Sequence, residues 1–140
     1  VVTIPKFIIE KIIDHAKKEY PCECCGLLSG QDKQVSEFYM IGNDDKSRKT
    51  YFMNPKELLA SQKDMREKKN ELIGIYHSHP HTEAYPSKTD IEKAHWPESD
   101  LPLFPGTLYV IISLEDQEDP LIRAFDINKD SVREAELQII

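Results

Sequence analysis

Residues 71–76 form an apolar run carrying Ile73, Ile75 and Tyr76, and the run ends directly in His77-Ser78-His79-Pro80. Such a run reads as a buried strand. With His77 and His79 extending it, the two side chains point to the same face, and both rings can converge on one ion held about 2 Å from each ligand nitrogen. Seven residues separate His79 from Ser87, and Asp90 lies three residues beyond Ser87. Pro80 and Pro86 favour a turning, non-helical passage between them, which lets the chain reverse and present Ser87 and Asp90 to the same point. The spacing predicts one metal site with His77, His79 and Asp90 as its ligands.

Two nitrogens and one oxygen suit zinc, and three protein ligands keep a fourth position for water, as catalytic zinc requires. The same residues carry a plainer reading. Ser87-Lys88-Thr89-Asp90 is also a helix capping box, with Ser87 as the cap and Asp90 in the first turn. Neither His-x-His nor Ser-x-x-Asp specifies a metal alone. Their combination directly after a buried strand supplies the structural context that a metal motif demands.

His77-x-His79-Pro80 followed by Pro86-Ser87-x-x-Asp90 resembles the signature of the JAMM, or MPN+, metallopeptidases: a distant glutamate, then His-x-His, seven residues, Ser, two residues and Asp. The segment Tyr20-Pro21-Cys22-Glu23-Cys24-Cys25-Gly26 is similar to the family's second strand, and Glu23 matches the distant glutamate. Tyr51-Phe52-Met53-Asn54-Pro55 ahead of a helix, and residues 105–113, are similar to bacterial and archaeal members, so the resemblance covers most of the chain. His81 departs from it, standing where many members have aspartate.

The resemblance implies the MPN (cytidine deaminase-like) fold, one catalytic zinc ion, and hydrolysis after the C-terminal Gly-Gly tail of a ubiquitin-like or sulfur-carrier protein. It also implies roles: Glu23 takes a proton from the metal-activated water and passes it to the leaving amine, and Ser87 donates a hydrogen bond to the oxyanion. The tail would add as an extended segment to an exposed sheet edge, with loop 43–53 bordering the groove. Without the resemblance, Glu23 between two cysteines reads as a solvent-facing residue of an apolar strand.

Two other classes compete with the peptidase. A non-catalytic MPN scaffold would show loss of a ligand or of the glutamate, yet all five positions are intact. A zinc hydrolase of small amides would carry the same centre.

Cys22, Cys24 and Cys25 lack a second Cys or His cluster at ligand spacing, so they make a poor structural zinc framework. Strand alternation predicts Cys24 in the core and Cys25 on the face of Glu23, near the site. The odd count, with no signal-like apolar start, points to a reducing cytoplasm. His15 and His95 read as solvated or packed residues.

Net charge of −7, with basic residues scattered, argues against nucleic acid as the main partner. The chain is long enough for one domain over residues 1–140, and it contains no run of about 20 apolar residues to span a membrane. Pro5 opens a helix with the stripe Ile4, Ile8, Ile12 and Ala16, ending before Pro21. Strands are expected at 24–29 and 34–41, then a charged loop from residue 43 to 49. Asn54 caps, and Pro55 opens, a second helix to about Lys69. A third helix runs from Ser87 to about His95, followed by strands at 110–114, 121–127 and 131–137. Helices interspersed with strands in this order predict an α/β fold, one curved mixed sheet flanked by helices.

Overall fold

The computed structural model of the protein describes residues 1–140. Its elements are β1 (Val2–Ile4), α1 (Lys6–Glu19), β2 (Cys25–Gln31), β3 (Gln34–Ile41), α2 (Pro55–Glu67), β4 (Glu71–His79), α3 (Lys88–Lys93), β5 (Leu108–Ser113), β6 (Leu121–Ile127), β7 (Val132–Ala135) and β8 (Leu137–Ile139). All eight strands join one sheet in the order β7-β6-β5-β4-β2-β3-β1-β8. β4 runs antiparallel to β2 and parallel to β5, so the sheet is mixed. Its two edges, β7 and β8, are separated in sequence only by Glu136, which forces the sheet to curl until they nearly meet. The result is the curved α/β architecture predicted above.

Strand alternation sorts the core onto two faces. On one, Ile8, Ile12 and Ala16 of α1 pack with Cys24, Leu28, Tyr76 and Ile112. Ile4, Ile8 and Ile12 are fully buried there, each worth about 1.5–3 kcal/mol of burial. On the other, Met65 of α2 and Ala94 close over Cys25, Leu27, Ile75, Ile111 and Phe125. His77 and His79 follow Ile75 at period two, and so emerge on this second face. Gly26 lets the strands approach: a β-carbon there would collide with the Tyr39 carbonyl and the ring of Tyr76, the residue preceding His77.

Several boundaries differ from the sequence expectation. Ile4 belongs to β1 rather than to the first helix, because Val2–Ile4 pairs in parallel with β8 and Thr3 pairs with Gln34. α2 begins as expected, with the Asn54 side chain accepting from the Glu57 N–H and Pro55 at its start. It stops at Glu67, and Lys69 turns left-handed at φ 57°. α3 stops at Lys93, short of His95. Beyond it the chain folds back, with the Trp96 N–H donating to the Leu101 carbonyl and the Leu103 N–H to that of Ala94. Residues 131–137, expected as one strand, divide between β7 on one edge and the start of β8 on the other. No helix is long and apolar enough to cross a membrane.

Candidate metal centre

β4 carries His77 and His79 side by side, and the turn over residues 80–86 brings the start of α3 against them. The His77 and His79 Nε2 atoms are 3.1 Å apart, and Asp90 Oδ2 lies 3.2 Å from the first and 3.0 Å from the second. Ligand atoms about 2.0 Å from a tetrahedral zinc stand about 3.3 Å from one another, so this triangle has close to the edge length that such an ion requires. All three residues are buried. The His79 Nδ1–H donates to the Glu83 carbonyl at 2.8 Å, which turns Nε2 towards the Asp90 carboxylate. Two ring nitrogens and a carboxylate oxygen converging this closely inside a protein need a positive charge among them, either a proton on a ring or a bound cation. The donor set therefore fits a divalent ion.

His77 is oriented differently. Its Nδ1 has no hydrogen-bond partner, and Tyr51 stacks on its ring with centroids 4.7 Å apart and an interplanar angle of 27°. Nothing in the sequence marks Tyr51 for this contact beyond its place in the Tyr51-Phe52-Met53-Asn54-Pro55 run. The Glu83 carbonyl that fixes the His79 tautomer has no side-chain signature at all.

Ser87 and Asp90 form the capping box. The Ser87 Oγ accepts from the Asp90 N–H at 3.0 Å, and the Ser87 N–H donates to Asp90 Oδ2 at 2.9 Å. The cap and the metal triangle share one carboxylate oxygen, so the plain reading and the metal reading hold together. Burial alone would raise the Asp90 carboxyl. The His77 and His79 rings and the Ser87 N–H outweigh it, holding the group well below the usual carboxylate range. Ser87 is exposed, and its hydroxyl proton is free to donate.

Glu23 sits two residues ahead of β2 and is 3% exposed, with Oε1 unpartnered. It is buried, against the solvent-facing alternative. Burial pushes its carboxyl up to about 8, offset in part by His79 and reinforced by the Asp90 charge. A cavity of about 610 Å³ adjoins Glu23 on the side of Glu19, Cys22 and Asn43 and touches none of the three ligands.

The remaining sequence candidates are not part of the His77–His79–Asp90 triangle, although Cys25 lies directly opposite His77 in the sheet, near the site as expected. Cys24 lies in the core beneath α1, its thiol pushed up by burial to about 12. Cys25 lies on the opposite face, as alternation predicts, and donates weakly to the Ile41 carbonyl. Burial raises its thiol as well, so neither cysteine is a thiolate near neutral pH. His15 is packed against the Tyr76 hydroxyl at 2.8 Å, and the His95 ring donates to the Ile91 carbonyl. His81 is exposed, 3.4 Å from the Tyr20 hydroxyl. The sheet edge expected to receive an extended tail is not at the metal strand: β4 has β2 and β5 on its two sides, and the free edges are β7 and β8.

Residues 5–128 match the family described as prokaryotic homologs of the JAB domain. The chain is 28% identical to a CysO-cysteine peptidase of Mycobacterium tuberculosis, covering 100% of this chain and 92% of that protein. It is 30% identical to a desampylase of Haloferax volcanii, covering 74% of each. Among solved structures, protein DSY2949 from Desulfitobacterium hafniense superposes with a TM-score of 0.85 at 35% identity, covering 100% of this chain and 93% of that one. AF2198, a JAB1/MPN domain protein from Archaeoglobus fulgidus, shares the fold with a TM-score of 0.60 at 20% identity, covering 99% of both chains. The chain belongs to the prokaryotic homologs of the JAB domain, and with that family's fold it is a hydrolase of the JAMM type.

Proposed function

We propose that the protein is a zinc-dependent metallopeptidase that cleaves the peptide or isopeptide bond after the C-terminal Gly-Gly tail of a ubiquitin-like or sulfur-carrier protein. It acts as a single domain in the cytoplasm. The observation that carries this reading is the triangle of His77 Nε2, His79 Nε2 and Asp90 Oδ2 with the buried carboxyl of Glu23 near it. Relatives that act on CysO-cysteine and as a desampylase support a carrier conjugate as the substrate class.

His77, His79 and Asp90 would hold the ion, which when bound supplies Lewis acidity and a water whose pKa falls to about 7. Glu23 takes the proton of the attacking water on its carboxylate and returns it to the departing amine. Burial raises this carboxyl above the usual carboxylate range, which favours its holding the transferred proton until the amine departs. The Ser87 hydroxyl donates to the oxyanion that forms on the scissile carbonyl while its oxygen keeps accepting from the Asp90 N–H. Asp90, pinned by the Ser87 N–H, couples the helix start to the ligand set. Glycines at the tail's end would admit the closest approach of backbone to this centre.

Mass spectrometry of Gly-Gly-ending carriers with C-terminal extensions, incubated with zinc-loaded protein, tests the proposal. Cleavage directly after Gly-Gly by the wild type and none by Glu23→Ala is the expected result. An intact panel would overturn the carrier assignment and favour a small-amide hydrolase or a silent scaffold.

A further inference from the structure

The loop between β3 and α2 touches every element that carries a chemical group of the site. Tyr51 stacks on His77. Lys93 of α3, the helix that bears Asp90, donates from Nζ to the Tyr51 carbonyl at 3.4 Å and lies 3.6 Å from Asp45 Oδ2. The contact with Glu23 is the most complete. The Glu23 N–H donates to the Ser47 carbonyl at 2.8 Å, and the Glu23 carbonyl accepts from Asn43 Nδ2 at 3.0 Å. Glu23 lies outside β2, and the loop takes up both of its own main-chain polar groups, whereas those of the next residue, Cys24, are taken up by Ser78 of β4.

Asn43 organises that loop. Its Nδ2 donates to the carbonyls of Glu23 and Thr50, at 3.0 and 3.1 Å. Its Oδ1 accepts from the Asp45 and Phe52 N–H groups, at 3.0 and 2.9 Å. A side-chain amide has two donor protons and two acceptor sites, and here all four are used. Reversing the amide would set its oxygen against two carbonyls and its NH₂ against two N–H groups, so the network admits one orientation. The half-buried Asn43 thus ties the main chain of Glu23 to the segment that presents Tyr51 to His77.

We propose that Asn43 is a positioning residue for the Glu23 carboxyl, acting through the Glu23 main chain and loop 43–53. This rests on Glu23 being the base. Misplacing a reacting group by about 1 Å costs about a hundredfold in rate, so loosening the anchor of Glu23 lowers kcat while zinc and the tail still bind. Asn43→Asp keeps the acceptor oxygen and the side-chain shape but loses both donors. Asn43→Ser removes the same hold without adding charge, and it carries the measurement should the aspartate variant not fold.

Two readouts are needed: cleavage of a carrier fusion by zinc-loaded protein, and amide hydrogen exchange of the zinc-loaded protein alone. Both variants are expected to retain one zinc per chain and KM within about threefold, with kcat down about 10- to 100-fold. In a Glu23→Gln background the further loss should be under about threefold, since a residue acting through Glu23 has nothing more to lose there. Exchange at the Glu23 amide should rise at least about tenfold in both variants, while the amides of β4 keep their protection. Unchanged kcat in the variants, equal losses with and without Glu23, or an unaltered Glu23 amide would each overturn the proposal. A wild type that cleaves nothing, or a fully active Glu23→Gln, would instead break the functional reading, and amide exchange would still decide whether Asn43 holds Glu23.

Discussion

The proposed ligand half of the centre and the proposed base half are assembled by different means. His77 and His79 sit at successive same-face positions of one strand, and Asp90 is placed by a capping box with Ser87 three residues before it. Each of these is a short-range device: strand period, proline-directed turn, helix cap. Glu23 comes from the segment just ahead of β2, and its main chain is held by residues 43 and 47, whose own arrangement depends on residues 45, 50 and 52. His77 and His79 rest on one interior strand and Asp90 on a doubly bonded cap, whereas the main-chain polar groups of Glu23 are held by a largely exposed loop. Metal affinity and turnover should therefore respond to different substitutions.

The largest separation of the two halves is expected from Asp90→Ala against Glu23→Gln. Asp90→Ala removes a ligand and half of the capping box, so it should fail to retain stoichiometric zinc after dialysis and lose all measurable turnover. Glu23→Gln should keep one zinc per chain by atomic absorption and lose about 10²- to 10⁴-fold in kcat, the range for a general base. Zinc loss in Glu23→Gln would erase the distinction.

Ser87 belongs to both halves, and Ser87→Ala sharpens the boundary between them. Loss of the cap should lower stability by about 1 kcal/mol in a thermal or denaturant melt. Loss of the oxyanion donor should lower kcat per folded molecule about ten- to a thousandfold. A stability loss with kcat intact would assign Ser87 to the ligand half alone.

Glu23 also makes a signature in the metal-free protein. Burial raises its carboxyl from 4.5 to about 8, so the folded state keeps a proton that the unfolded chain has already released. The stability from this group is complete below pH 4.5 and falls as pH rises through about 8, by the order of a few kcal/mol. Glu23→Gln should flatten that part of the profile in chelator-treated protein, and an unchanged slope would place the titration elsewhere.

The smallest effect is expected at Tyr51, the loop side chain that stacks on His77. Tyr51→Leu should weaken zinc binding about fivefold, matching about 1 kcal/mol for a lost ring stack, with competition against a chromophoric chelator as the readout. A hundredfold loss would mean that the loop supports the ligands as strongly as it supports Glu23.

These contrasts mirror what was readable along the chain. The His77/His79 pair, the Ser87–Asp90 cap and the Asn54–Pro55 start of α2 follow from local rules and stand where those rules put them. Cys24 and Cys25 face opposite sides of β2 for the same reason. Helical spacing places Ile4 in the stripe of α1, but it belongs to β1, whose strand partners, β3 and the C-terminal β8, are remote in sequence. The division at Glu136 was equally silent, since only a sheet curled far enough to bring its edges together can turn one apparent strand into two.

Sequence alone determined the identity and order of the candidate metal-binding groups, because a strand's two-residue period and a cap's three-residue reach are properties of a few neighbouring bonds. The tertiary structure decided that the three ligand atoms close into a triangle with edges of 3.0–3.2 Å, that Glu23 is buried with a raised pKa, and that Asn43 anchors it. Burial and long-range hydrogen bonds depend on which distant segments the curled sheet brings together, and no local pattern of residues encodes that meeting.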